Sequence, residues 1–500
     1  MMSEASNGGD GPASSPPPAG GAGGPPPAAA PSAAPPASPG GSTPQGAPGG
    51  PPGGGNAPYR DGGQGNNGGR GRRRRRGRGR RGQPGGPPGG NQGNQGGQGN
   101  QGGQNRHQGG GQRHQGHSPS FAAPPGEVLT ADTVAEGAVD VVREGYGFLR
   151  TLKYCYLPHP TDVYVPANLI RQYVLEQGAF VKGGVSSPRR PGQRPSLVNV
   201  ESIEGEAPEK YVNRTPFKNL VTIDPTEWLR LEGEGTNDPL LRVIDLLIPI
   251  GKGQRCLIVA PPRTGKTIML QRIGQAINRN YPEMKIFVLL INERPEEVTE
   301  LRRTVRGEII ASSLDELATQ HVGVAEMALS RAKRCVEMGQ DVVVLADSLT
   351  RMARAYNMEI EHSGRTLSGG VDSRAMERPK THFGAARKVE GGGSITIIAT
   401  ALVDTGSRMD QVIFEEFKGT GNSEIVLSRE LADRRIFPAI DLSTSGTRKE
   451  EKLLPPDILQ RTWILRRVLT KMEPTEAMEL LVQRLMQTKT NLEFLDRFKG

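Results

Sequence analysis

The sequence predicts an α/β protein: a P-loop ATPase domain on a parallel sheet, preceded by a small OB-type β-barrel and a disordered N-terminal tail. Three observations carry this reading. The apolar run 257–260 turns through Pro261-Pro262-Arg263-Thr264-Gly265-Lys266-Thr267 into a helical pattern, the layout of a phosphate-binding loop. Further apolar runs at 286–291, 342–345, 395–399 and 424–427 alternate with helical stretches such as 324–337, which implies a doubly wound sheet with helices on both faces. Five short β-type runs lie between residues 138 and 203, at 138–142, 147–152, 162–165, 179–184 and 197–203. That number in that length suits a Greek-key barrel.

The tail comes first. The chain has 500 residues with 68 Gly and 42 Pro, and residues 1–125 are almost wholly Gly, Pro, Ala, Ser, Gln, Asn and Arg. Such a segment cannot bury enough apolar surface to offset its ordering entropy. It holds twelve arginines against three acids, a net +9 of the chain's +10, so the high pI describes the tail and not the body. Arg70, Arg72 to Arg76, Arg78, Arg80 and Arg81 are interleaved with Gly. A polycation of this kind attracts polyphosphates, RNA among them, by counterion release; a solubilising tail without a partner is the alternative. His107, His114 and His117 fall in the same low-complexity text and read as solvated. Cys155, Cys256 and Cys335 form no C-x-x-C pair, which fits a reducing cytoplasm. There is no signal-peptide core, and the apolar runs are too short to span a bilayer, so no membrane role is expected.

The barrel is expected over 126–210. Gly145-Tyr146-Gly147-Phe148-Leu149-Arg150 sets two aromatics two residues apart, on one face of a strand with Arg150, and Asp162-Val163-Tyr164 adds a third. Bases stack on such rings at about 1–3 kcal/mol each. A barrel that merely buries the rings is the alternative. A polar linker, 204–216, precedes the ATPase module, expected over 211–500.

In the phosphate loop, backbone N–H groups around Gly265 would surround the phosphate oxygens at the helix N-terminus. Lys266 would reach the β- and γ-phosphates, and the Thr267 hydroxyl would sit on Mg²⁺. Ala260 stands where the usual pattern begins with Gly. Ile268, Met269, Ile273, Ala276 and Ile277 follow at helical spacing. Ligands of such sheets bind at the carboxyl ends of the strands. Two acids fall there. Asp347 ends its run and reads as an outer contact to Mg²⁺. Glu293, in Asn292-Glu293-Arg294, is the candidate general base that orients the attacking water. Arg435 and Arg448 are candidates for the positive charge that phosphoryl transfer needs beyond Lys266. Two Gly-rich loops, around Arg365 and Arg408, each carry a cation suited to phosphate tracking; plain surface loops are equally compatible.

Taken together, 145–150, 162–165, 251–255, 260–267, 293–297, Asp347-Ser348 with Arg351, 383–387, 415–422 and 445–449 resemble the bacterial transcription termination factor Rho family, over essentially all of 130–500. Ala260 fits that family's form of the loop. The resemblance implies a RecA-type ATPase, a ring-shaped homohexamer that binds nascent single-stranded RNA. It implies a cytoplasmic RNA-dependent ATPase and 5′→3′ helicase that releases RNA polymerase. Its RNA contacts would include Gly145, Tyr146, Gly147, Phe148, Leu149, Arg150, Asp162, Val163 and Tyr164, with Arg365 and Arg408 lining the pore. ATP contacts would be Gly251, Lys252, Gly253, Gln254, Arg255, Cys256, Arg263, Thr264, Gly265, Lys266, Thr267, Ile268 and Arg294, with Phe437 against the adenine. Arg448 would be an arginine finger acting on the neighbour's ATP, with Arg435 beside it. Asn292 replaces an acid, and Arg replaces Lys at 263, 365 and 408, a planar fork for a point charge. Pro195 stands near an expected aromatic, which weakens the contacts of Gln193 and Arg194. The helical subdomain usual before the barrel has no counterpart. Two other classes remain: a non-catalytic RNA-binding protein led by the tail, and a rotary or export ATPase.

Overall fold

The computed structural model describes residues 133–188, 193–233, 235–360 and 368–497. The tail, its three histidines and Arg365 lie outside the described residues.

Strands β1 (Thr133–Val141), β2 (Gly147–Arg150), β3 (Val163–Val165), β4 (Phe180–Ser186), β5 (Ser196–Leu197) and β6 (Ser202–Ile203) form the first sheet. Their order is β1-β2-β3-β5-β4-β6, and β1 also pairs with β4, so the sheet closes on itself. The run expected over 197–203 is two short strands, because residues 198–201 leave the ladder to cross from β5 to β6. The pleat alternates side chains: Leu149, Val163 and Val165 enter the barrel core with Val139, Val181 and Leu197, while Phe148 and Tyr164 stay half-buried on the other face.

The second sheet contains β7 (Thr222–Ile223), β8 (Arg255–Ala260), β9 (Lys285–Glu293), β10 (Glu308–Ser313), β11 (Asp341–Asp347), β12 (Arg387–Val389), β13 (Ser394–Leu402), β14 (Ser423–Val426) and β15 (Gly446–Thr447). Its main order is β10-β9-β11-β13-β8-β14-β15. The five pairings from β10 to β14 are parallel, as the Val/Ile/Leu runs require, and helices cover the sheet so that these strands are buried on both faces. β15, β12 and β7 add antiparallel pieces at the margins. The helix Ala318–Glu337 packs across β9, β10 and β11. Among the described residues no helix is long and apolar enough to cross a membrane.

The barrel is docked onto the ATPase sheet through charge. Arg331, 2% exposed, donates to Glu204 at 2.6 Å and to Glu308 at 2.9 Å. Arg214 meets the fully buried side chain of Glu337 at 2.7 Å. Gly178 has φ 83°, and a Cβ there would stand 2.5 Å from the Ser330 carbonyl carbon, so only glycine lets the two backbones approach. A buried ion pair costs desolvation, but each charge here has at least one partner across the contact.

Candidate nucleotide site and RNA-binding face

Parallel pairing brings the ends of β8, β9 and β11 to one edge. After β8 the chain turns through Arg263 (φ 66°) and Gly265 (φ 88°) into the helix Lys266–Asn280. Thr264, buried, ties the loop by donating to Pro261 O at 2.7 Å. Lys266 Nζ lies 3.0 Å from Glu293 Oε1 and 2.6 Å from Asp347 Oδ2. Both carboxylates are 1% exposed. Arg351 reaches Glu293 Oε2 at 2.9 Å, and Thr400 donates to Asp347 Oδ1 at 2.7 Å. The Thr267 hydroxyl donates to Glu297 at 3.0 Å. Oxygens of Glu293, Glu297 and Asp347 all lie within 4.8 Å of one another.

The electrostatics follow from this crowding. Burial raises the Glu293 pKa above the ordinary carboxylate value, and the Asp347 charge adds to it, despite Lys266 and Arg351. Burial works against the Lys266 ammonium, but Asp347 and Glu293 outweigh it and its pKa rises. The result is a poised group: a carboxylate with raised basicity beside a cation held in the phosphate loop. Around the loop, Arg263, Ile268, Arg294 and Phe437 are exposed. The Phe437 ring comes within 4.0 Å of where a Gly265 Cβ would stand.

The opposite edge of the sheet is different. Arg448 follows β15, donates its backbone N–H to Asn422 O at 2.9 Å, and lies at the start of β14 and β8. A cavity of about 550 Å³ opens there, lined by Asp224, Arg255, Arg387, Asn422 and Lys452 among others.

On the barrel, three rings form one cluster: Tyr146–Phe148 at 5.8 Å, Tyr146–Tyr164 at 5.4 Å and Phe148–Tyr164 at 6.1 Å between centroids. Arg150 and Arg194 each hold a guanidinium carbon 4.9 Å from the Phe148 centroid. Asp162, 2% exposed, accepts from Arg150 at 2.5 Å and from the His159 N–H at 2.6 Å. Its other oxygen, Oδ1, is buried without a partner, an acceptor whose desolvation is uncompensated until a donor arrives.

Residues 135–209 match the RNA-binding domain of Rho termination factor, and residues 241–447 match the nucleotide-binding domain of the ATP synthase alpha/beta family. The transcription termination factor Rho of Chromobacterium violaceum is 53% identical over 366 residues, 73% of this chain and 88% of that relative. That of Pseudomonas aeruginosa is 52% identical over 376 residues, 75% and 89% of the two chains. The chain belongs to the Rho family.

Measured against the set that the Rho resemblance implied, the structure brings Lys266, Thr267, Glu293 and Asp347 together with Arg263, Gly265, Ile268, Arg294 and Phe437 around them. Several residues fall elsewhere. Gly251 to Cys256 form the tight turn into β8, at the far edge. Lys252 there pairs with Asp341 at 2.7 Å, Gly253 packs on Lys388, and the Cys256 side chain is fully buried. Six residues of strand at about 3.3 Å each put the turn roughly 20 Å from its own phosphate loop, too far to touch ATP held there. Arg435 does not stand beside Arg448. It lies in the turn after Arg429–Asp433, at the carboxyl end of β14 next to Phe437, whereas Arg448 is at the other end of that strand. Leu149 and Val163 turn into the barrel core, so only their backbones border the aromatic face. Arg150 is 5% exposed and shared between Asp140 and Asp162; it positions the site from beneath. Gly145 is in the left-handed region and Gly147 lies against Asp140 O. Arg408 is exposed at the start of the helix Arg408–Lys418, and a Cβ on Gly369, in the described end of the first Gly-rich loop, would lie 2.8 Å from its carbonyl oxygen. Sequence reasoning missed Glu297, Thr400 and the placement of Arg194 over Phe148.

Proposed function

We propose that this chain is an ATP-dependent translocase on single-stranded RNA that terminates transcription by displacing RNA polymerase, working in the cytoplasm as a homohexamer. The observation that carries the mechanism is the separation of Lys266, Glu293 and Asp347 from Arg448 across one sheet. A phosphate held on Lys266 cannot reach its own Arg448, so a complete site needs two chains, which is what a ring supplies. Glu293 takes the proton of the attacking water, and its raised pKa suits it to that step. Lys266 leaves its carboxylates to hold the β- and γ-phosphates. Phe437 offers a ring to the adenine. Arg448 of an adjacent copy stabilises the charge on the transferring group.

The donor set near Thr267 fits Mg²⁺: a hydroxyl and the carboxylates of Asp347 and Glu297 are hard oxygen ligands of the kind that ion takes. Bound there, Mg²⁺ would neutralise phosphate charge during transfer. On the barrel, Tyr146, Phe148 and Tyr164 stack bases and Arg194 meets base edges, while Asp162 holds Arg150 and the His159 N–H from beneath. Arg408 follows the RNA backbone where the second Gly-rich loop emerges beyond β13.

The test is ATP hydrolysis with and without poly(C) RNA, combined with the mass of the assembly. Turnover that rises with RNA in a hexamer-sized particle is expected. Turnover indifferent to RNA would refute the reading.

A further inference from the structure

Tyr154 and His159 lie beside the aromatic cluster but outside it. Their rings stack at 3.6 Å between centroids with 9° between planes. Each ring is only partly buried. The pair is tied to the base-binding groups: the His159 N–H donates to Asp162 at 2.6 Å, and its carbonyl accepts from Arg194 at 3.1 Å. Pro158 and Pro160 flank His159 and fix the backbone on either side. Tyr154 is held from the other side. Cys155 and Tyr156 after it have φ 51° and 61°, a conformation that costs non-glycine residues and persists only when the surroundings enforce it. The enforcement is visible: Cys155 Sγ accepts from Ala311 N–H, and Tyr156 OH donates to Glu308. The chain thus spends two strained residues anchored in the ATPase sheet, and Tyr154 immediately before them stacks on His159.

Resting on the reading of the barrel as an RNA-binding face, we infer that the Tyr154–His159 pair is a further nucleotide subsite. It takes one base of single-stranded RNA beyond those held by Tyr146, Phe148 and Tyr164, next to Asp162 and Arg194. Every base has a π-face, so such a subsite accepts any of them. Lys153, exposed and 5.5 Å from the Tyr154 centroid, supplies a cation for the adjoining phosphate.

The test is fluorescence anisotropy of the full chain with labelled oligocytidylates two to six nucleotides long, at raised salt so that the arginine-rich tail contributes little. In the parent chain affinity should rise with each added nucleotide. Tyr154→Ala should leave the shortest oligomers bound as before and weaken the longer ones about tenfold, the size of one lost stacking contact. Tyr154→Leu, which keeps apolar bulk for folding, should do the same, and Tyr154→Phe should restore the parent series. A loss equal at every length would overturn the subsite, leaving the pair as a support for Asp162; so would no loss at any length. Phe148→Ala separates this from the underlying reading. It should weaken all lengths, and if it weakens none the barrel reading itself falls.

Discussion

The two edges of the ATPase sheet differ in how their central cations are partnered. At the carboxyl edge, Lys266 and Arg351 are matched by Glu293 and Asp347 within ion-pair contact. At the amino edge, Arg255 donates to the carbonyls of Thr420 and Ala386 at 2.9 and 3.1 Å. Among the described residues, Arg255, Arg387 and Arg448 have no carboxylate within ion-pair distance. Burial lowers the Arg255 pKa and the Arg448 charge lowers it further; Arg387 is lowered by burial and then by Arg255. Asp224, half-buried there, is held down to about 2 by hydrogen bonds from Lys452 and Lys449. A nucleotide that takes Lys266 at the carboxyl edge leaves Glu293 paired with Arg351 and opens Asp347 to another cation. At the amino edge burial and mutual repulsion of Arg255, Arg387 and Arg448 are only partly offset by Asp224, so a further anion there would be favoured.

The largest expected effect tests that complementarity. Arg448→Ala should lower ATP turnover by about 10³–10⁵-fold, as for other arginine fingers, while equilibrium binding of a non-hydrolysable ATP analogue stays within a few-fold of the parent. Mixing Arg448→Ala chains with Lys266→Ala chains should recover part of the activity, since some interfaces then pair an intact loop with an intact arginine. If neither the loss nor the recovery is observed, the two edges do not form one site.

Glu293→Gln comes next. It removes the proposed proton acceptor but keeps a hydrogen-bonding group near Lys266, and turnover should drop about 10²–10⁴-fold with nucleotide affinity retained. A variant that instead lost nucleotide binding would make Glu293 a support for Lys266. Phe148→Ala should act on the barrel alone, weakening RNA by about 1–3 kcal/mol. The RNA concentration for half-maximal stimulation should rise, and turnover without RNA should not change.

Much of this was legible in the sequence, for a physical reason. Strand ends in a parallel sheet are marked by apolar runs that stop at a polar residue, so Asp347 and Glu293 could be placed at one edge without coordinates. What was not legible depended on contacts far apart along the chain. Glu297 reads as an ordinary acid in the first turn of Pro295–Thr304, where the helix dipole favours one, and nothing local connects it to Thr267. β10 has few apolar residues and ends in serines, so it gives a weak strand signal. Arg150 shares the Phe148 strand, but its burial comes from Asp140 on β1 and Asp162 before β3. The far position of Gly251–Cys256 and the split between Arg435 and Arg448 follow from strand direction: β14 runs one way and β15 returns, which carries Arg448 back to the amino edge.

The smallest expected effect sharpens the balance at the carboxyl edge. Glu293 has its pKa raised first by burial and then by Asp347, while Lys266 and Arg351 lower it. It must be ionised to take a proton, so turnover should fall as pH drops through a value above the usual carboxylate pKa of about 4.3. Nucleotide draws Lys266 away toward phosphate, leaving Arg351 as the nearer protein cation. Arg351→Met removes a group that lowers the Glu293 pKa, so the pKa rises and the acid limb moves to higher pH. Turnover at the plateau should change much less than at the limb. The readout is the pH profile of single-turnover hydrolysis for parent and variant. A limb that stays in place, or moves to lower pH, would mean that Arg351 serves only to hold the Asn292 carbonyl and that the charge balance around Glu293 is set by Lys266 alone.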